Sequence, residues 1–415
     1  MGNGEQVYER ENRSGSARQL LADTPYQKSK ALGYRTLAVN PYPDSPAFPY
    51  ADGHLQSDIF DVERVIEYCK AQQADAVISD ECDIAMPVVA KLGKMLDLNT
   101  LNEESAYLFT NKQAMRDFCM KYGIPSPEYR LCKTLEDAEN FYEHMNGKII
   151  IKPLDSNSSR GVFTIESKED IHKHFEESLS YSRVQKAVLA EKYIEGTEFT
   201  VDGIKTPERH FTLAISEKKH YKHNPNVASE LYFTRENEKF DYSVLTAQND
   251  LLVNHSPLLF GLTHAEYKYE NGKFYLIEIA ARGGGNLISS HIVPFLSGID
   301  NYQYLLNCCI GNITSPEFTI KDQYKTKSAV LCFFDVPEYG GAVERVEGTE
   351  ILEHDPRIAA YQFHFHAGDQ LSNAATDADR IGFYIACCDS KKELDELMGK
   401  IQRDVRIICN KSRKA

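Results

Sequence analysis

No stretch of the chain approaches the roughly 18 consecutive apolar residues that a membrane-spanning helix needs, so no membrane partner is expected. The opening segment, Met1 to Gly15, is polar and charged; it lacks the apolar core of a secretory leader and reads as a loose tail. The ten cysteines show no CxxC spacing. Cys308-Cys309 and Cys387-Cys388 are adjacent pairs inside apolar runs, which argues for buried reduced thiols over disulfides or zinc ligands. No internal repeat or low-complexity segment is present. Positive charge is also in deficit: the formal net charge of -14 argues against a nucleic-acid partner, and its plain reading is solubility. A cytoplasmic enzyme fits these absences.

What is there is enough for a sizeable core. The chain has 415 residues, 42% of them hydrophobic, and its length implies two or three domains. In the first hundred residues a strand is expected at Thr36–Val39. Asp61 then caps a helix whose Val62, Val65, Ile66 and Cys69 share one face, and Ala76–Ser79 reads as a buried strand. Strand, helix, strand implies a parallel α/β unit, residues 1–109. An earlier strand near Gln19–Ala22 is followed by Asp23-Thr24-Pro25-Tyr26, a turn without glycine, so a Rossmann phosphate loop is unsupported.

A second unit, residues 110–312, opens with a helix bearing Met115, Phe118, Cys119 and Tyr122, which ends at Gly123 and Pro125. Thr134 and Asp137 form a capping box. Strands are expected at Lys148–Lys152, Val162–Ile165, Ala187–Glu191, Glu198–Ile204 and Phe211–Ser216. His220–Lys239 is polar and poorly periodic, a long loop or lid. The third unit, residues 313–415, is α+β. It has strands at Ser328–Val336 and Ile381–Cys388, and a last helix capped by Ser390 and Glu393 that carries Leu394, Leu397, Met398, Ile401, Val405 and Ile408.

Three features carry chemistry. Lys152 ends an apolar strand and is followed by the polar loop Pro153–Gly161; phosphates need such positive charge and close backbone N–H donors. Alone, this is an ordinary hairpin loop. Glu191–Glu198 runs from a strand into an acid-rich connection that can meet an adenine edge and a ribose hydroxyl; alone, it is a turn. The third is strongest. Asn271-Gly272 joins His264–Lys268 to Phe274–Ile279, a hairpin signal. A two-residue loop would put Glu266 and Glu278 on opposite faces. A three-residue loop, Glu270–Gly272, makes them diagonal neighbours with Cα atoms roughly 7–8 Å apart. Two carboxylates so placed suit a divalent cation, and Glu278 otherwise interrupts an apolar run without purpose. Arg282, placed to meet an anion, and Gly283-Gly284-Gly285 follow directly.

In this order and spacing, Lys112 after Thr110-Asn111, Ile150–Pro153, Asp155–Val162, Glu191–Glu198, Glu266 and Glu278–Gly285 resemble the motifs of the ATP-grasp superfamily. The flanking units resemble those of its L-amino-acid ligase and carbamoyl-phosphate-synthase-like branch. The resemblance covers nearly the whole chain and implies an ATP-grasp fold of α/β and α+β class. It implies a ligase that activates a carboxylate as an acyl phosphate and joins it to an amine, with ATP and Mg²⁺ (or Mn²⁺). Lys112, Lys152, Ser158, Ser159 and Gly161 would meet the phosphates, Glu191 and Ile194 the adenine, and Glu198 the ribose. Glu266 and Glu278 would bind the metal, and Arg282, with Lys152, would serve catalysis. The loops at 156–161 and about 216–239 would exclude water. Partners would be small carboxylates and amines, and a homodimer is a family-level expectation. Many members carry Glu-x-Asn where this chain has Glu278-Ile279-Ala280, which leaves the number of metal ions open; Asn286 is a candidate substitute. ATP-dependent carboxylation, as in biotin-carboxylase relatives, and a non-catalytic ATP-binding regulator are the alternatives.

Overall fold

The computed structural model describes residues 25–156, 160–182, 185–338 and 340–410. The expected tail, the strand near Gln19–Ala22, and Ser158 and Ser159 lie outside them.

In the N-terminal unit, β1 (Leu37–Asn40) and β2 (Gly53–Gln56) pair in parallel, and Asp61 caps the helix Val62–Ala71 by accepting from the Arg64 N–H. The strand expected at Ala76–Ser79 is not formed among the described residues. The segment is held by side chains instead: Val77 packs on the Val65–Leu92 cluster, while Ala76 and Ile78 pack on the largest core.

The middle unit is built on two sheets. A four-stranded sheet has the order β3 (Tyr129–Cys132), β6 (Val188–Lys192), β4 (Ile149–Pro153), β5 (Phe163–Ile165). The helices Leu135–Met145 and Lys168–Ser180 pack on it through Ala138, Phe141, Ile171 and Phe175. Thr134 and Asp137 make the expected capping box. The second sheet has eight strands. It contains β7 (Thr197–Lys205), β8 (His210–Tyr221), β9 (Asn224–Phe233), β10 (Gly261–Glu270) and β11 (Lys273–Ala280), in the order β11-β10-β7-β8-β9. One of its faces buries Phe199, Val201, Ala265 and Tyr267 against the helices Lys112–Tyr122 and Tyr242–His255.

The long loop expected over His220–Lys239 is mostly strand: β8 and β9 form a hairpin there. Its polar residues alternate with Val227, Leu231 and Phe233, which are buried, so a period of two hides inside a polar composition. Because β9 also pairs with a strand on its far side, the segment cannot serve as a closing lid.

That far-side strand is β12 (Ser328–Phe333) of the C-terminal unit. Beside it lie β15 (Gly382–Cys388) and β14 (Ile358–Phe363), which complete the eight strands. The helix Lys391–Asp404 buries Leu394, Leu397 and Ile401 against them. Val405 and Ile408, expected on that helix, lie beyond it: Val405 caps it, and Ile408 belongs to β16 (Arg406–Cys409), paired with β13 (Val343–Glu347). The β-branched run Val405-Arg406-Ile407-Ile408 favours extended backbone, and a partner strand is in reach. All ten cysteines are free thiols. Among the described residues no helix is long and apolar enough to cross a membrane.

Candidate active site

The site lies where the two sheets face each other. Asn111 caps the helix Lys112–Tyr122 by accepting from the Ala114 N–H, which puts Lys112 at the first helical position. Lys112 is buried; its Nζ lies 2.8 Å from Glu278 Oε1 and donates to the Ser156 carbonyl at 2.9 Å. Lys152, on β4, is also buried, and its Nζ lies 2.7 Å from Glu191 Oε2. Burial pushes the Lys152 ammonium down to about 8, against the pull of Glu191. Burial would push the Glu191 carboxyl up, but the charges of Arg116 and Lys152 outweigh it and hold Glu191 below its ordinary value. Glu191 therefore spends its side chain on Lys152 and Arg116, which leaves its backbone, not its carboxylate, to meet any other group. Ile194 is buried in the connection that crosses from β6 to β7. Gly161 has a φ of +71° and packs against Tyr181 and Pro153, so its backbone follows the end of β4 closely.

The large sheet supplies the acids. Its hairpin differs from the expected one. Glu270 pairs with Lys273, so the loop is the two residues Asn271-Gly272, with φ of 50° and 82°. Both positive values match a type I′ turn. Tyr267 pairs with Leu276, yet Glu266 pairs with Glu278, because a bulge at Ile277 shifts the register by one. The two glutamates are thus directly opposite on one face, not diagonal. The bulge does what the three-residue loop was expected to do. Along that face, Glu198 stands opposite Lys218 and Lys268, and Asp202 stands opposite His264. Lys218 Nζ lies 2.5 Å from Glu198 and 2.9 Å from Glu266. Burial would raise the Glu198 carboxyl, but Lys218, then His220 and Lys268, hold it well below its ordinary value.

Among the described residues no cluster of three His, Cys, Asp or Glu side chains forms a metal site. Ala280 is buried opposite His264 and offers no third ligand. Glu266 and Glu278 remain partly exposed toward the cleft, which fits a hard cation that takes one or two protein carboxylates and draws its other ligands from phosphate and water.

Arg282 meets a protein carboxylate: its Nε and Nη2 donate to the two oxygens of Asp83 at 2.8 and 2.7 Å, and its Nη1 donates to the Gly283 carbonyl. Burial would raise the Asp83 carboxyl, but the Arg282 guanidinium outweighs it and holds Asp83 below its ordinary value. Asp80 accepts from the Gly283 N–H at 3.0 Å and from the Tyr302 hydroxyl. A Cβ on Gly284 would lie 2.6 Å from Asp202 Oδ1, so no side chain fits there. These ties close one wall of a cavity of about 2080 Å³, lined among others by Asp80, Asp83, Ser156, Glu278, Asn286 and His364, from all three units.

The structure brings Lys112, Lys152, Glu191, Glu198, Glu266 and Glu278 into one cleft, with Arg282 at its edge. Sequence reasoning missed Arg116, Asp80 and Asp83. Arg116 had one local signal, a charge placed beside the buried face of an amphipathic helix. Asp83 lies 199 residues from Arg282 and had none.

Residues 145–291 match the model of the ATP-grasp domain, and residues 333–410 that of L-amino acid ligase C-terminal domain 2. Alanine–anticapsin ligase of Bacillus subtilis is 26% identical over 305 residues, 67% of this chain and 63% of that protein. The large chain of carbamoyl phosphate synthase from Thermus thermophilus is 21% identical over 82% of this chain and 34% of its own length. The chain therefore spans less than two thirds of either relative. In fold it resembles an L-amino acid ligase from Bacillus licheniformis, with a TM-score of 0.77 at 20% identity over 93% of this chain and 95% of the other.

Proposed function

We propose, for a chain that carries an ATP-grasp domain followed by an L-amino acid ligase C-terminal domain, that it is an ATP-dependent ligase. It joins the carboxylate of an amino acid to an amine through an acyl phosphate and releases ADP and phosphate. The observation that carries this reading is the convergence of two buried lysines and two opposed glutamates on one cleft beside a cavity large enough for two small substrates.

Phosphoryl transfer needs position and charge neutralisation more than a side-chain nucleophile. Lys112 and Lys152 supply positive charge at fixed points. Burial limits competing water, which strengthens their attraction for an anion and protects a hydrolysable intermediate. Glu266 and Glu278 would hold Mg²⁺, which supplies further charge neutralisation when bound. In this reading Glu198 meets a ribose hydroxyl and the segment from Glu191 to Ile194 offers backbone groups to the adenine. Arg282, whose fork is held by Asp83, would have only its remaining N–H donors to turn to the reacting carboxylate. We also take the chain as three units, 1–109, 110–312 and 313–415, and as a homodimer, which sedimentation would test.

The test is phosphate release from ATP with Mg²⁺ across a panel of amino acids, for wild type and Glu278→Ala. Release that needs one amino acid as acid and rises with a second as amine, and that falls at least a hundredfold in the variant, supports the ligase. Equal release by the variant removes Glu278 from the reaction. Tight ATP binding with no release from any pair would favour a non-catalytic nucleotide-binding protein.

A further inference from the structure

Among the described residues Arg116 heads the wholly buried large side chains, at 0% exposure, and it touches both halves of the site. Its Nε donates to Glu191 Oε1 at 2.7 Å, and the other oxygen of Glu191 holds Lys152. Its Nη2 donates to the Ile277 carbonyl at 2.6 Å. Ile277 is the extra residue of the bulge, where the regular ladder is interrupted, and that bulge turns Glu278 toward Glu266. Nη1 is buried and has no hydrogen-bond partner among the described residues. Arg116 also lies one helical turn after Lys112, which holds Glu278 directly.

We propose that Arg116 is a positioning residue that couples the phosphate-facing lysine of the four-stranded sheet to the paired carboxylates of the eight-stranded one. This rests on the nucleotide reading above. The physical case has two parts. A guanidinium presents its donors in a rigid planar fork, so one side chain fixes both the Glu191 carboxylate and the bulge carbonyl at a set separation. The buried group Arg116, Glu191 and Lys152 also carries one surplus positive charge, and buried surplus charge is costly unless an anion meets it. Arg116 takes one oxygen of Glu191, so Lys152 holds only the other and is not fully neutralised; it keeps charge for a phosphate.

Arg116→Lys keeps the charge but cannot reach both acceptors. The experiment measures ADP binding by calorimetry with and without Mg²⁺, the Mg²⁺ concentration for half-maximal activity, and the melting temperature. The expected result is a tenfold or greater loss of metal-free ADP affinity together with a tenfold or greater rise in the Mg²⁺ requirement. Lys152→Met, by contrast, should weaken ADP and leave the Mg²⁺ requirement within about twofold. An Arg116→Lys protein whose melting temperature falls while ADP affinity and Mg²⁺ requirement stay at wild-type values would reduce Arg116 to a structural part and overturn the proposal. If that variant does not fold, Glu191→Gln cuts the same link isosterically. It should weaken metal-free ADP binding at least threefold with an unchanged Mg²⁺ requirement, and unchanged ADP binding would overturn the coupling. A wild-type protein that binds no ADP would remove the nucleotide reading and this proposal with it. Wild-type binding with unaffected variants would remove only the role of Arg116.

Discussion

At the scale of single residues, the site is governed by how burial and charge compete. Lys152 shows it most directly. Its ammonium is pushed down to about 8 by burial, so it is charged below that pH and loses its proton above it. ADP affinity should therefore be flat below about pH 7 and fall as pH rises through 8, by up to about tenfold per unit at the steepest. Calorimetry from pH 6.5 to 9.5 measures it, and Lys152→Arg, which keeps its charge throughout, should flatten the fall. An unchanged fall in that variant would assign it to another group. Lys152 was legible in the sequence because a lysine ending an apolar strand is conspicuous. Arg116, which reaches Lys152 only through Glu191, was missed, since a charge on an amphipathic helix is usually solvated.

At the scale of elements, the hairpin of β10 and β11 decides whether the two glutamates meet. Sequence alternation located both strands and the Asn271-Gly272 turn. It did not reveal the bulge, because Ile277 is an ordinary apolar residue, and the donor that its carbonyl meets there, Arg116, lies 161 residues away. Gly272 has a φ of +82° with open space around it, so an added methyl meets no neighbour and only the backbone preference is lost. Gly272→Ala should therefore cost about 1 kcal/mol in urea unfolding, while Gly272→Asn should cost less, because asparagine tolerates the left-handed region. Equal costs would mean that the turn relaxes into another type. The segment 220–239 teaches the complementary lesson: a strand half made of polar residues looks like a loop until its sheet neighbours on both sides are known.

At the scale of the whole molecule, two features bind the units together. The eight-stranded sheet passes through β9 and β12 from the middle unit into the C-terminal one. Asp80 and Asp83 reach from the N-terminal unit to Gly283 and Arg282. The side chains of Asp83 and Arg282 are mostly buried, so Asp83→Asn should cost about 2 kcal/mol by leaving the guanidinium without a full counter-charge. The sign with pH follows from the lowered Asp83 carboxyl. Its contribution is complete above its ordinary value of 3.8 and is lost as pH falls through the folded value. The stability gap between wild type and variant, measured by urea unfolding, should accordingly be constant from pH 5 to 7 and close toward pH 2. A gap that persists at pH 2 would show that packing, not charge, accounts for it.

By itself the sequence determined most of the strands of the middle unit, two of its helices with their caps, and the identity of the lysines and glutamates in the cleft. Periodicity, capping and the placement of charges in apolar runs are local properties, written within a few residues of each other. The tertiary structure alone decided which side chains orient the lysines, where the bulge falls, that Arg282 faces Asp83, and that one sheet crosses two units. Those outcomes depend on residues brought together from 39 or more positions apart, and a buried charge takes its role from whichever partner the packing places beside it.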